Sequence, residues 1–146
     1  MLEVLQIITI LSCGLFTGAA IYINLVEHPA RMECGTEVAA TVFAPSYKRA
    51  AVMQISLAVI SFIGSALTYL ESANILWLIG GFIIISVIPF TLIAIMSTNK
   101  KLLSPSLDAA AESTRELLSR WGKLHAVRSV LGVLALLIFL TLVTSD

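Results

Sequence analysis

Four stretches of the chain are almost uninterrupted in apolar residues: 4–26, 51–70, 75–96 and a shorter one, 130–143, whose span is expected to begin near Leu124. A helix needs about 20 predominantly apolar residues to cross the hydrocarbon core of a bilayer. Backbone amides in lipid have no water to bond, so a spanning segment must satisfy them internally, as a helix does. The polar stretches between the runs are short, and no internal repeat is visible. Residues 1–146 therefore read as a single integral membrane domain, all-α, folded as a four-helix transmembrane bundle.

The connections carry their own signals. Residues 32–50 are more polar and hold Gly35 and Pro45. They predict a short interfacial helix over 36–44 capped by Thr36, with Ser46 capping the second span. Tyr47 reads as an aromatic anchor at one interface and Trp77 as its counterpart at the other. Ser72-Ala73-Asn74 leaves room only for a tight turn between antiparallel neighbours. Pro89, in mid-span, frees the Ile85 carbonyl, for which Ser86 or a hydroxyl on another helix is a natural partner. Ser104-Pro105 reads as a cap and first position of an amphipathic helix, 105–120, that extends the fourth span on the cytoplasmic side. Gly14 and Gly18, four apart, are expected to admit a neighbouring helix of the bundle, or a second copy of the chain as a homo-oligomer.

Composition agrees with lipid as the solvent. The 146 residues are 58% hydrophobic and 12% charged, with mean hydropathy +0.98. A soluble domain of this size leaves roughly 30% of its unfolded area exposed, too much for this composition. The formal net charge of +0 excludes nucleic acid as a partner, which demands a basic surplus. No basic residue precedes the first run, which reads as a retained span rather than a signal peptide. All nine Lys and Arg lie in the first or third connection or at their edges. The positive-inside rule puts those connections in the cytoplasm and both termini outside, or in a lumen.

That basic end also collects the unusual polar residues. Asn24, Glu27, His28 and Arg31 are three or four apart and share one helical face if the first helix continues past Pro29. Trp121, His125 and Arg128 do the same at the head of the fourth span, and Asn99 ends the third span at the same level. Arg49 either snorkels like Lys48 or points inward. Polar groups at a bilayer edge are costly unless they pair or work. Three roles fit the histidines. They can fix helix ends by hydrogen bonding. They can bind haem or a transition metal, with Glu27 as a further metal ligand. Or one can act as a general base, oriented by a carboxylate, beside donors that stabilise an oxyanion.

Several blocks occur in an order that resembles the anthrone-oxygenase-like family of small four-span membrane proteins. They are Gly14-x-x-x-Gly18-Ala19-Ala20-x-Tyr22, Glu27-His28-Pro29-Ala30-Arg31, Tyr47-x-Arg49, Pro89-Phe90-Thr91, Thr98-Asn99 and Trp121-x-x-x-His125-x-x-Arg128. The Glu-His-Pro-Ala-Arg and Trp-x-x-x-His-x-x-Arg blocks are the most specific. Ser97 departs from the pattern, standing where a proline is expected. The resemblance implies an oxidoreductase, a monooxygenase that converts an anthrone to an anthraquinone with molecular oxygen as co-substrate, and no flavin, haem or metal firmly attached. Its hydrophobic aromatic, quinone-like substrate would meet a catalytic group drawn from His125, His28 and Glu27. Asn24, Arg31, Arg49, Asn99, Trp121 and Arg128 would bind that substrate, with Trp121 stacking on the flat ring.

Overall fold

The structure, a computed structural model, describes residues 1–144. It contains no strand among them. Four long helices, each apolar and long enough to cross a membrane, make up the chain: α1 (Leu2–Glu33), α2 (Thr36–Ser72), α3 (Ile75–Leu102) and α4 (Glu112–Thr144). All four run past the apolar stretches that announce them. The 37 residues of α2 span about 55 Å at 1.5 Å per residue, against a hydrocarbon core of about 30 Å. The excess lies at the basic end, because the opposite end of α2 is held by the tight turn into α3. There Ala73 adopts a left-handed conformation and the Asn74 side chain accepts from the Leu76 amide.

The helices form a ring in which α1 and α3 each pack between α2 and α4. One core layer, around Cys13, Phe16, Ala58, Trp77, Ile84 and Phe139, fills the half near the α2–α3 turn. A second, around Ile23, Phe43, Ile95, Leu118 and Trp121, fills the basic half. Large apolar side chains also face outward, among them Leu15, Leu25, Val52, Leu70 and Ile93. Lipid is the solvent that makes such a surface inexpensive, and this is a multi-pass membrane protein.

Several local expectations are corrected. Thr36 does not open a separate helix, since α2 runs unbroken through Pro45 and its cap is Gly35, at φ 99°. Ser46 does not cap a span; its hydroxyl donates to Glu27 Oε1 at 2.8 Å. Trp77 is a core residue stacked on Phe139, not a surface anchor. Residues 103–111 form turns rather than a helix starting at Pro105, and the amphipathic extension begins at Glu112. Asp108 takes the local bonds that a helix would have used, accepting from the Ala110 amide and the Thr114 hydroxyl.

The glycine pair on α1 does not mark a tight contact within the bundle. A Cβ at Gly18 would meet open space, and one at Gly14 only the tip of Leu136 at 3.9 Å. The close approaches in the bundle occur at Gly64 against Thr9, at Gly81 against Ser65, at Gly122 and Gly132, and at Gly80, where an added Cβ would lie 2.5 Å from the Phe139 ring.

Two irregularities shape the basic half. Residues 23–27 of α1 and 91–95 of α3 are single turns of π-helix, each next to a proline. Proline lacks the amide that would continue the α ladder, and the wider turn absorbs the mismatch. In α3 the Ser86 hydroxyl goes to the Ile83 carbonyl, not to the freed Ile85.

Candidate functional site

The π-turn ahead of Pro29 widens the face of α1 that presents Asn24 and His28 to α4. Gly122 lets them approach, since a Cβ there would sit 2.6 Å from His28 Nε2. Asn24 Nδ2 donates to the Gly122 carbonyl at 2.9 Å, so Oδ1 must be the amide's acceptor. That oxygen lies 2.7 Å from His125 Nδ1 and 2.7 Å from the Ser129 hydroxyl. The His125 proton is thereby held on Nδ1, and Nε2 is left as the ring's free acceptor.

Trp121 is the hub of the site. His125 stacks on its indole at 4.8 Å between centroids, and His28 packs against it, tilted, at 5.3 Å. Phe43 meets it edge-on, and the Arg31 guanidinium lies 5.5 Å from its ring. The indole N–H donates to Asn99 Oδ1 at 2.9 Å, and Asn99 Nδ2 donates to the Tyr47 hydroxyl at 3.1 Å. Asn99 is fully buried, so this chain fixes the indole and the phenol together.

Arg31, Tyr47, Gln54, Trp121, His125 and Arg128 line a polar cavity of about 20 Å³, room for roughly one or two waters. Arg128 is buried, donates to Gln54 Oε1 at 2.7 Å, and lies 5.7 Å from the Phe16 ring. Among the described residues no carboxylate pairs with it. The buried nitrogens Arg128 Nε, Gln54 Nε2 and Arg31 Nε have no hydrogen-bond partner among the described residues. Native interiors satisfy most such groups, so these three donors around one cavity are suited to an anionic or carbonyl oxygen.

The two imidazoles thus meet on Trp121, at one end of the bundle, yet open on different spaces. His125 faces the polar cavity, whereas His28 lines an outer groove with Asn24, Met32, Ser119 and Lys123. Glu27 does not orient either ring by a hydrogen bond. Its carboxylate lies 3.7 Å from Arg31 Nη1 and accepts from Ser46, because the widened turn directs it toward α2. Arg49 stands exposed, away from the cavity. Tyr47, Ala50, Ala51 and Gln54 occupy the inward face of α2, and a residue two positions past Tyr47 falls on the opposite side. No group of three His, Cys, Asp or Glu that would hold a metal ion is found among the described residues.

Sequence reasoning missed Gln54, Tyr47 and Ser129. Gln54 had a signal, as an amide inside an otherwise apolar span. Tyr47 had only its motif position, and its interfacial reading is corrected by its bond to Asn99. Ser129 and Gly122 carried none, because small residues are ordinary in spanning helices.

A family model described as anthrone oxygenase matches residues 43–138. No curated protein and no solved structure matches the chain. The matched stretch takes in Tyr47, Gln54, Asn99, Trp121, His125 and Arg128, and leaves the polar face of α1 just ahead of its first residue.

Proposed function

The chain belongs to the anthrone oxygenase family, and from that premise we propose that it oxidises a hydrophobic, phenolic carbon acid of the anthrone type with molecular oxygen. His125 Nε2 is the base that takes a proton from the central methylene. The observation that carries this is the 2.7 Å contact between His125 Nδ1 and Asn24 Oδ1, which leaves Nε2 free on the wall of a cavity with a buried, unpaired cation. Asn24, not Glu27, orients the base.

Proton removal puts negative charge on the ring oxygen. Arg128, the Gln54 amide and the Tyr47 hydroxyl supply donors for it, in a site too small to admit bulk water. The electron-rich anion transfers electrons to dioxygen and joins it at the same carbon. Loss of the second methylene proton, with cleavage of the O–O bond, releases water and leaves a carbonyl. One anthrone and one dioxygen give one anthraquinone and one water. Trp121, held by Asn99, stacks on His125 and fixes the base at the cavity wall. The Lys and Arg bias supports an orientation with the basic connections in the cytoplasm and both termini outside, or in a lumen.

The test is oxygen uptake by the purified protein in lipid nanodiscs with 1,8-dihydroxyanthrone, corrected for autoxidation over empty nanodiscs. One oxygen consumed per anthraquinone formed, above that background, is the expected result. A rate equal to the background contradicts the proposal.

A further inference from the structure

The polar cavity is far too small for a tricyclic ring, so most of the ring must lie elsewhere. A second cavity, of about 70 Å³, adjoins it between α2 and α3. Tyr47, Ala51 and Arg128 belong to the walls of both. The remaining wall is apolar apart from Thr91, with Ile55, Val87, Ile88, Leu92 and Met96. Along Ile75–Ile85, α3 lies close against α2; beyond Ser86 the two helices part, and this cavity occupies the gap. Ile55 and Leu92 are 46% and 59% exposed, so its mouth faces the lipid. Its α3 wall falls on the stretch with Pro89 and the π-turn 91–95, where the regular hydrogen-bond ladder is already interrupted.

We infer that the gap between α2 and α3 is a lateral portal, through which a lipid-dissolved, planar aromatic molecule inserts its apolar rings from the bilayer and meets Arg128 and Tyr47 with its phenolic oxygen. This rests on the proposed oxidation for its substrate class. The occupant is set by the walls: mostly aliphatic side chains, together with a buried guanidinium that has an unpaired Nε and no carboxylate partner among the described residues. A ring with one acidic oxygen matches both. The division of labour also explains the sizes, the larger apolar space taking the outer rings and the small polar one taking the methylene edge, beside His125, with dioxygen. The outer groove by His28 is the competing route, from the aqueous side.

The test reads binding rather than turnover. The probe is 1,8-dihydroxyanthraquinone, which has no methylene to oxidise, titrated into protein in phosphatidylcholine nanodiscs. The shift in the anthraquinone's own visible absorption, corrected for empty nanodiscs, reports occupancy. Ile88→Trp fills the portal and Leu92→Trp, on its lipid-facing rim, narrows the mouth with little risk to folding; Ser119→Trp fills the outer groove. Both portal variants are expected to raise the dissociation constant about tenfold or more, with Tm within about 4 °C of the parent, and Ser119→Trp to bind as the parent does. Unchanged binding by folded portal variants overturns the inference. So does loss confined to Ser119→Trp, or no binding by the parent. Binding in the expected pattern without any turnover of the anthrone leaves the portal standing and removes the catalytic reading.

Discussion

His125 and Asn24 are 101 positions apart, and their side chains meet at 2.7 Å. The geometry is over-determined: the Gly122 carbonyl fixes the amide's orientation, and Ser129 shares its oxygen. Asn24→Leu removes the acceptor for both. Turnover should fall by about 100-fold, the contribution of a well-placed base, while the dissociation constant for the anthraquinone changes little. Steady-state oxygen uptake and the absorption titration of the anthraquinone separate the two effects.

Arg128 and Gln54 lead to a variant that uncouples stability from activity. Gln54→Glu gives the buried guanidinium a carboxylate at the position that now accepts its hydrogen bond at 2.7 Å. The ion pair occupies the charge that the substrate oxygen needs. Tm in detergent should hold or rise, and oxygen uptake should fall to background. Gln54→Leu should instead lower stability by about 1.5–3 kcal/mol, the worth of a hydrogen bond to a charged group.

The closeness of α1 and α4 is testable at Gly122. Gly122→Ala puts a methyl 2.6 Å from His28 Nε2 and drives that ring from Trp121. Overpacking of this kind costs about 1–3 kcal/mol. Adding His28→Ala removes the obstacle, so the double variant should recover most of the lost Tm. A double-mutant cycle by thermal unfolding measures the coupling.

Asn99 joins Trp121 to Tyr47. Asn99→Leu leaves the indole N–H and the phenol without their partner, at a cost of about 1–3 kcal/mol for each buried group. The expected result is a lower Tm and weaker anthraquinone binding, since two walls of the site lose their positions together.

Hydrophobic runs and basic residues made four helices and their membrane setting legible before any coordinates. The boundaries were less so. Pro45 and the polar residues around it looked like a break, but helix packing carried α2 across them. The pairing of the α1 face with the head of α4 was readable because Asn24, His28, His125 and Arg128 are conspicuous in an apolar chain. Their partners were not, because hydrogen bonding depends on helix rotation. One π-turn moves Glu27 toward α2 and gives the histidine to Asn24 instead. Gly14 and Gly18 do not mark the bundle's tight contacts, which fall at Gly64, Gly80, Gly81, Gly122 and Gly132, because spacing alone does not say which face turns inward.

The most direct test of His125 as base dispenses with oxygen. Under anaerobic conditions in deuterated buffer, NMR follows exchange of the methylene protons of 1,8-dihydroxyanthrone. The parent protein should speed that exchange well above empty nanodiscs, and His125→Ala, still folded and still binding the anthraquinone, should return it to background. Equal exchange by the parent and His125→Ala would contradict the account.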